Sequence, residues 1–227
     1  MRNVKSRKSV KKRAAMSMAG ALSLAAATLA AAPTAGASTA GGAAAANTTT
    51  SSVGYVCQSR YDGAWFPIAN YARSFSTTAP TSIARNTNYQ ITFNPAPLTA
   101  AGQYNQQLKD VEVAYKVSSN AQVLSYSLTG GSNLGTAVFY VDRNGSEFVV
   151  KSIAGAIQGG VEFDIPTLVV TLRSANPGSV TAGPAGTSFT HRSFGWNRQH
   201  PLNGQWDPFQ CYADPASPVV FSTTSVS

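Results

Sequence analysis

Much of the chain from residue 53 onward is written in a period of two. In the clearest stretch, Val111, Val113, Tyr115 and Val117 alternate with Asp110, Glu112, Ala114 and Lys116. That pattern predicts a strand with one face in a core and the other, Glu112 included, in water. Further strands are predicted over 121–128, 134–141, 147–150 and 168–172, with shorter ones over 53–57, 89–93 and 219–221. Between the third and fourth lies Asp142-Arg143-Asn144-Gly145, where Asn-Gly predicts a hairpin because both residues tolerate positive φ. Residues 161–165 alternate again with Glu162 and Asp164 outward, and Pro166 places the stretch at an edge or bulge. Leu98, Ala101 and Leu108 have helical spacing, and Thr99 is placed to cap a turn or two. Gly130-Gly131 and Gly159-Gly160 read as turns. Short strands with a turn signal every ten or so residues predict an all-β fold: a single β-sandwich of immunoglobulin-like layers, with a small β-barrel as the alternative.

Charge changes the picture once it is located. The chain has 227 residues and a net charge of +8, yet only 11% of its residues are charged. Seven of its 17 Lys and Arg fall within the first 13 positions, and no acid precedes Asp62. This basic opening, the uncharged Ala-rich stretch to Ala32, the helix-breaking Pro33 and the small residues Ala35-Gly36-Ala37 have the layout of a secretory signal peptide, placed at 1–37. Ser38 to Ser52 is rich in Ala and Thr, lacks large apolar residues and reads as a flexible linker. The folded domain is then 53–227, long enough to bury one good core. Without the leader, basic and acidic residues nearly balance, which excludes a nucleic-acid-binding domain built on clustered Lys and Arg. The expected product is secreted or cell-wall associated, with no integral membrane segment after cleavage.

The only cysteines are Cys57 and Cys211. In an oxidising compartment two cysteines predict one disulfide, which ties the start of the domain to its end. Enzyme signals are missing: there is no Gly-x-Ser-x-Gly elbow, no Walker loop and no dinucleotide fingerprint, so no cofactor is expected. His191, His200 and Asp207 are the residues from which a three-ligand zinc site would have to be drawn, although nothing in their spacing requires one. The acids offer pairs of the kind glycosidases use, without a pattern that selects any pair.

The segment from Phe189 to Tyr212 holds both histidines, two of the three tryptophans, Arg192 and Arg198. Its glycines and prolines suggest a long loop laid over one end of the sandwich. Two readings follow. The plainer one buries Trp196 and Trp206 to seal the core. The other is a ligand surface of stacking rings and hydrogen-bonding groups, made by Trp65, His191, Trp196, Arg198, His200, Trp206 and Asp207.

Tyr55-Val56-Cys57, set just after an Ala/Thr-rich linker, together with a second cysteine late in the chain, resembles a group of secreted actinobacterial β-domains of unassigned function. The resemblance is one of layout and supplies no catalytic residues. The reading that follows is a secreted, disulfide-tied, non-catalytic binding protein of the cell envelope or extracellular space, with a glycan, lipid or protein as ligand. A secreted hydrolase with an unrecognised carboxylate or His/Asp site, and an outer-envelope β-barrel pore, are the alternatives.

Overall fold

The computed structural model describes residues 45–227. The expected signal peptide and the first residues of the expected linker lie outside this range. The chain runs through β1 (Ala46–Tyr61), β2 (Ala64–Pro80), β3 (Ser82–Ile83), β4 (Asn88–Pro95), β5 (Leu98–Thr99), β6 (Gln107–Val117), β7 (Gln122–Thr129) and β8 (Val138–Asn144). It continues through β9 (Glu147–Ala154), β10 (Ile157–Gln158), β11 (Glu162–Phe163), β12 (Thr167–Arg173), β13 (Gly178–Pro184), β14 (Phe194–Gln199), β15 (Trp206–Ala213) and β16 (Ser222–Val226). All described elements are strands.

Fourteen strands belong to one hydrogen-bonded network whose path runs β3-β16-β13-β6-β14-β15-β1-β2-β4-β12-β7, with β9 and β10 also on β6 and β8 on β9. The path has open ends, so the sheet is not closed, and the barrel alternative, with the pore that depended on it, is not what forms. The network folds over itself as a β-sandwich. Phe93 of β4 stacks on Tyr115 of β6 at 4.7 Å between ring centroids, and Phe75 of β2 meets Tyr115 edge-on at 6.1 Å. Tyr126 of β7 likewise meets Phe148 of β9. Phe75, Phe93, Tyr115 and Phe148, with Ile91, Leu168, Val170 and Phe221, make the dry interior, while Tyr126 is exposed.

The long β1–β2 hairpin joins the layers. Its register shifts between Tyr55 and Cys57, and Asn70 on β2 takes φ 55°, a bulge that bends the ribbon. One end pairs with β4 through Phe75–Thr78, and the other passes to β15 through Tyr55–Ser59. Residues 46–52, expected as linker, are strand: Ala46 to Ser52 pair in register with Pro80 to Ser74. Thr and Ser suit an exposed strand whose backbone is satisfied by its neighbour, and Thr48 Oγ1 lies 2.7 Å from Thr78 Oγ1 across the pair. No large apolar side chain is needed there, which is why the hydrophobic pattern does not reveal it.

Other expectations shift in smaller ways. The β8–β9 hairpin forms, but Asn144 pairs with Glu147, so the two-residue turn is Gly145-Ser146. Gly145 takes φ 60° at the first central position, as a type II′ turn requires. The helical spacing of Leu98, Ala101 and Leu108 makes no helix. Pro95 and Pro97 hold the chain extended, and Leu98–Thr99 instead pair with Glu162–Phe163. Residues 219–221 stay outside a strand, and β16 follows them.

Strand β6 departs from its alternation in an informative way. Glu112 is buried: the segment 185–193 bonds the backbone of Ala114 at the strand's edge through Ala185 and Ser193 and brings His191 and Arg192 to the outer-face carboxylates Glu147 and Glu112. Arg192 of that segment forms an ion pair with Glu112. Burial still raises the Glu112 carboxyl above its ordinary value, against the pull of Arg192 and Lys151. A second charge, Arg73, lies inside the sandwich 4.8 Å over the Phe194 ring, donating to the Ala96 carbonyl, with Nη1 unpaired.

The Cys57–Cys211 disulfide forms, between residues directly opposite each other on β1 and β15, with Cα atoms 4.2 Å apart. Chain-entropy arguments put such a link, 154 residues long, at up to ~5 kcal/mol. The double variant Cys57→Ala/Cys211→Ala is expected to lose about 2–5 kcal/mol in denaturant unfolding. The raised carboxyl of Glu112 means that the fold binds its proton more tightly than the unfolded chain does. That contribution is full below the ordinary carboxylate range and is lost as pH rises through the elevated value. Glu112→Gln keeps an acceptor for Arg192 and removes the titration. Its stability relative to wild type should therefore rise between pH 4 and pH 7, by up to about 1 kcal/mol, in paired thermal or denaturant melts.

Candidate functional site

The segment Phe189 to Tyr212, expected as a loop, is from Phe194 onward an antiparallel hairpin within the sheet, β14 and β15. Trp196 pairs with Phe209 and Arg198 with Asp207. Its alternation sorts the candidate residues onto two faces. Phe194, Trp196, Arg198 and His200 occupy every second position and are buried, as are Asp207, Phe209 and Cys211 on the facing strand. Trp206 takes the opposite face, where the Lys109 ammonium sits 4.3 Å from its ring. His191 lies in the covering segment of β6, its Nε2 2.8 Å from Glu147 Oε1. Trp65 is 44% exposed and paired with Arg60, out of step with its neighbour Phe66, which pairs with Ser59.

The inward row continues across three strand pairs. Trp196 faces Phe209, Phe209 faces Ser59, and Ser59 faces Phe66. One step along β1 and β15 lies the disulfide. The segment 98–106 supplies the second wall, through Thr99, Ala100, Ala101, Tyr104 and Asn105. Between them is a groove of about 750 Å³ that opens to solvent. Its floor is Trp196, Phe209 and Tyr71, and its sides include Phe66, Ile68 and Tyr61, with Tyr104 and Leu202 at the rim. The rings pack against each other at varied angles, with Trp196 on Phe209 at 4.4 Å and Tyr61 on His200 at 4.5 Å.

Of the seven residues expected to bind ligand, Trp196, Arg198 and His200 line this groove. Asp207 sits beside Arg198 beneath it, while Trp65, Trp206 and His191 lie elsewhere. The other ring-bearing residues, Tyr61, Phe66, Tyr71, Tyr104 and Phe209, were not singled out. A signal for some of them was present: counting in twos from each cysteine gives Ser59 and Tyr61 on β1 and Phe209 and Asp207 on β15. Tyr104 and Asn105 come from a segment without strand alternation, and nothing in the sequence marks them.

The lining is mostly carbon, and the side chains of Asn105 and Arg198 are largely engaged. Arg198 donates from Nη1 to the Tyr104 carbonyl and from Nη2 to the Arg60 carbonyl, both at 3.0 Å, clamping the wall to the hairpin tip. Its Nε is buried without a protein partner, and so is Ser59 Oγ. Desolvation pulls the Arg198 guanidinium below its ordinary value, opposed by Asp207 and Tyr61. Burial pushes the Tyr71 phenol up to about 12, so it stays protonated. Asn105 Oδ1 accepts from Trp196 Nε1 at 3.2 Å, and its Nδ2 donates to Ala101 O. His200 Nδ1 accepts the Leu202 N–H at 3.2 Å, which leaves Nε2–H as the donor of the neutral ring. Within the groove Ser59 and His200 form no hydrogen bond with each other; outside it, Thr187 Oγ1 lies 3.4 Å from His191 Nδ1. His191, His200 and Asp207 do not converge, and no group of three metal-ligating side chains occurs among the described residues.

No protein-family profile matches the chain, and no curated protein matches it in sequence. Solved structures resemble it at the level of fold. A putative membrane-anchored protein from Corynebacterium diphtheriae superposes with a TM-score of 0.49 at 15% identity, over 80% of this chain and 38% of its own. The chain thus spans well under half of that protein. A non-cellulosomal cohesin from Archaeoglobus fulgidus gives 0.34 at 11% identity over 66% of this chain and 88% of its own. A cohesin module from a Clostridium perfringens glycoside hydrolase gives 0.36 at 7% over 78% and 98%. Among the described residues no helix is long and apolar enough to cross a membrane.

The second wall is held by Gly159-Gly160. Gly159 N–H donates to Gln106 O and Gly160 N–H to Ala100 O. A Cβ on Gly159 would fall 1.6 Å from Asn105 O. Gly159→Ala should therefore push Asn105 off Trp196 and cost about 1–3 kcal/mol. With Trp65 and Trp206 replaced by Phe, a red-shifted Trp196 emission would report the opened wall.

Proposed function

We propose that this protein is an extracellular, non-catalytic binding protein of the cell envelope whose ligand occupies the aromatic groove. The observation that carries this reading is the groove itself: a concave, ring-lined space with a set of oriented polar groups, its floor built on strands. The disulfide is suited to an oxidising compartment. The polar atoms around the groove are arranged to clamp its walls and, in His200 Nε2, to offer a donor; none is arranged as a nucleophile with its base.

The test uses the Trp65→Phe/Trp206→Phe protein, in which Trp196 is the sole tryptophan, titrated with anilinonaphthalene sulfonate. Energy transfer from Trp196 to the dye should appear on binding. Ile68→Asp, at a groove position 36% exposed and thus replaceable without unfolding, should weaken binding at least tenfold. Turnover of ester, glycan or peptide substrates that disappears in a folded His200→Ala variant would overturn the reading in favour of a hydrolase.

A further inference from the structure

The polar inventory of the groove narrows its ligand. This step rests on the groove being the binding site. A saccharide presents a hydroxyl at nearly every carbon, and each must find a partner or lose its water at a cost. Here the Asn105 amide is committed at both ends, to Trp196 and to Ala101, and two of the three nitrogens of Arg198 are committed to carbonyls. The rings meet at tilted and edge-on angles around a concavity, so they do not form the flat platform on which a sugar face stacks. Bare carbon surface remains along most of the length, from Ile68 and Phe66 across Phe209 to Trp196.

The charge is just as one-sided. Among the lining residues Arg198 alone carries a permanent charge, and no carboxylate lines the groove. Its Nε and the neighbouring Ser59 Oγ are buried polar atoms without protein partners. Both residues line the groove, and so does His200. We infer that the groove holds a single acyl chain, the hydrocarbon along Ile68, Phe209 and Trp196 and its carbonyl or carboxylate oxygen at the polar groups of Arg198, His200 or Ser59.

Calorimetric titration of the full processed protein with octanoate, decanoate and dodecanoate, below their micellar concentrations, tests this. Each added methylene should tighten binding by up to about fourfold, the equivalent of ~0.8 kcal/mol, with increasingly negative heat-capacity change. Monododecanoylglycerol, run beside dodecanoate, separates an ester carbonyl from a free carboxylate as the natural head group, and binding of either supports the assignment. Ile68→Asp should weaken dodecanoate at least tenfold, with an unchanged circular-dichroism spectrum. A flat chain-length series would overturn the inference, as expected of a pocket that takes a partner's side chain. So would maltoheptaose displacing the dye as well as dodecanoate does. Either result, with dye binding still lost in Ile68→Asp, removes the acyl assignment while leaving the groove as the binding site.

Discussion

The Cys57–Cys211 bond joins two residues that sit directly opposite each other on neighbouring strands. Side chains on a strand alternate with a period of two, so a slip of one residue would send every inward group to the other face. The bridge excludes that slip where it matters most. With Cys57 locked to Cys211, Ser59 must meet Phe209, and Phe209 in turn faces Trp196. The row of side chains that floors the groove is thus a consequence of one covalent contact placed a single step away from it.

Much of the architecture was legible because it follows from local pattern. The alternation of 110–117 marks β6, and that of 168–172 marks β12. The pairing of the two cysteines was legible by elimination. What escaped had two physical causes. Where a strand is satisfied by its backbone partner alone, as along 46–52, apolar side chains are not required and the pattern is silent. Where a strand is covered on both faces, as at Glu112, the polar residue of the alternation is buried by a segment far away in sequence.

The candidate site failed in a different manner. Aromatic richness drew attention to Phe189 to Tyr212, but the glycines and prolines suggested a loop, and a loop has no faces to separate. Once the stretch is a hairpin, Trp196, Arg198 and His200 fall together, while Trp206 turns outward to Lys109. Trp65 was singled out and Phe66 was not, although Phe66 is the one in step with Ser59. Composition located the region, and register decided the residues.

The outer strand β7 carries a consequence of its own. Its eight residues, QVLSYSLT, include no charge and no proline, and among the described residues its far edge pairs with nothing. Natural sheets usually blunt such a border with lysine or proline. Here the amides and carbonyls along that border answer only to water, and Leu124 stands exposed beside them. This flank is therefore the side on which another extended chain would meet the least electrostatic resistance, making it the molecule's weakest guard against sticking to its own kind when crowded.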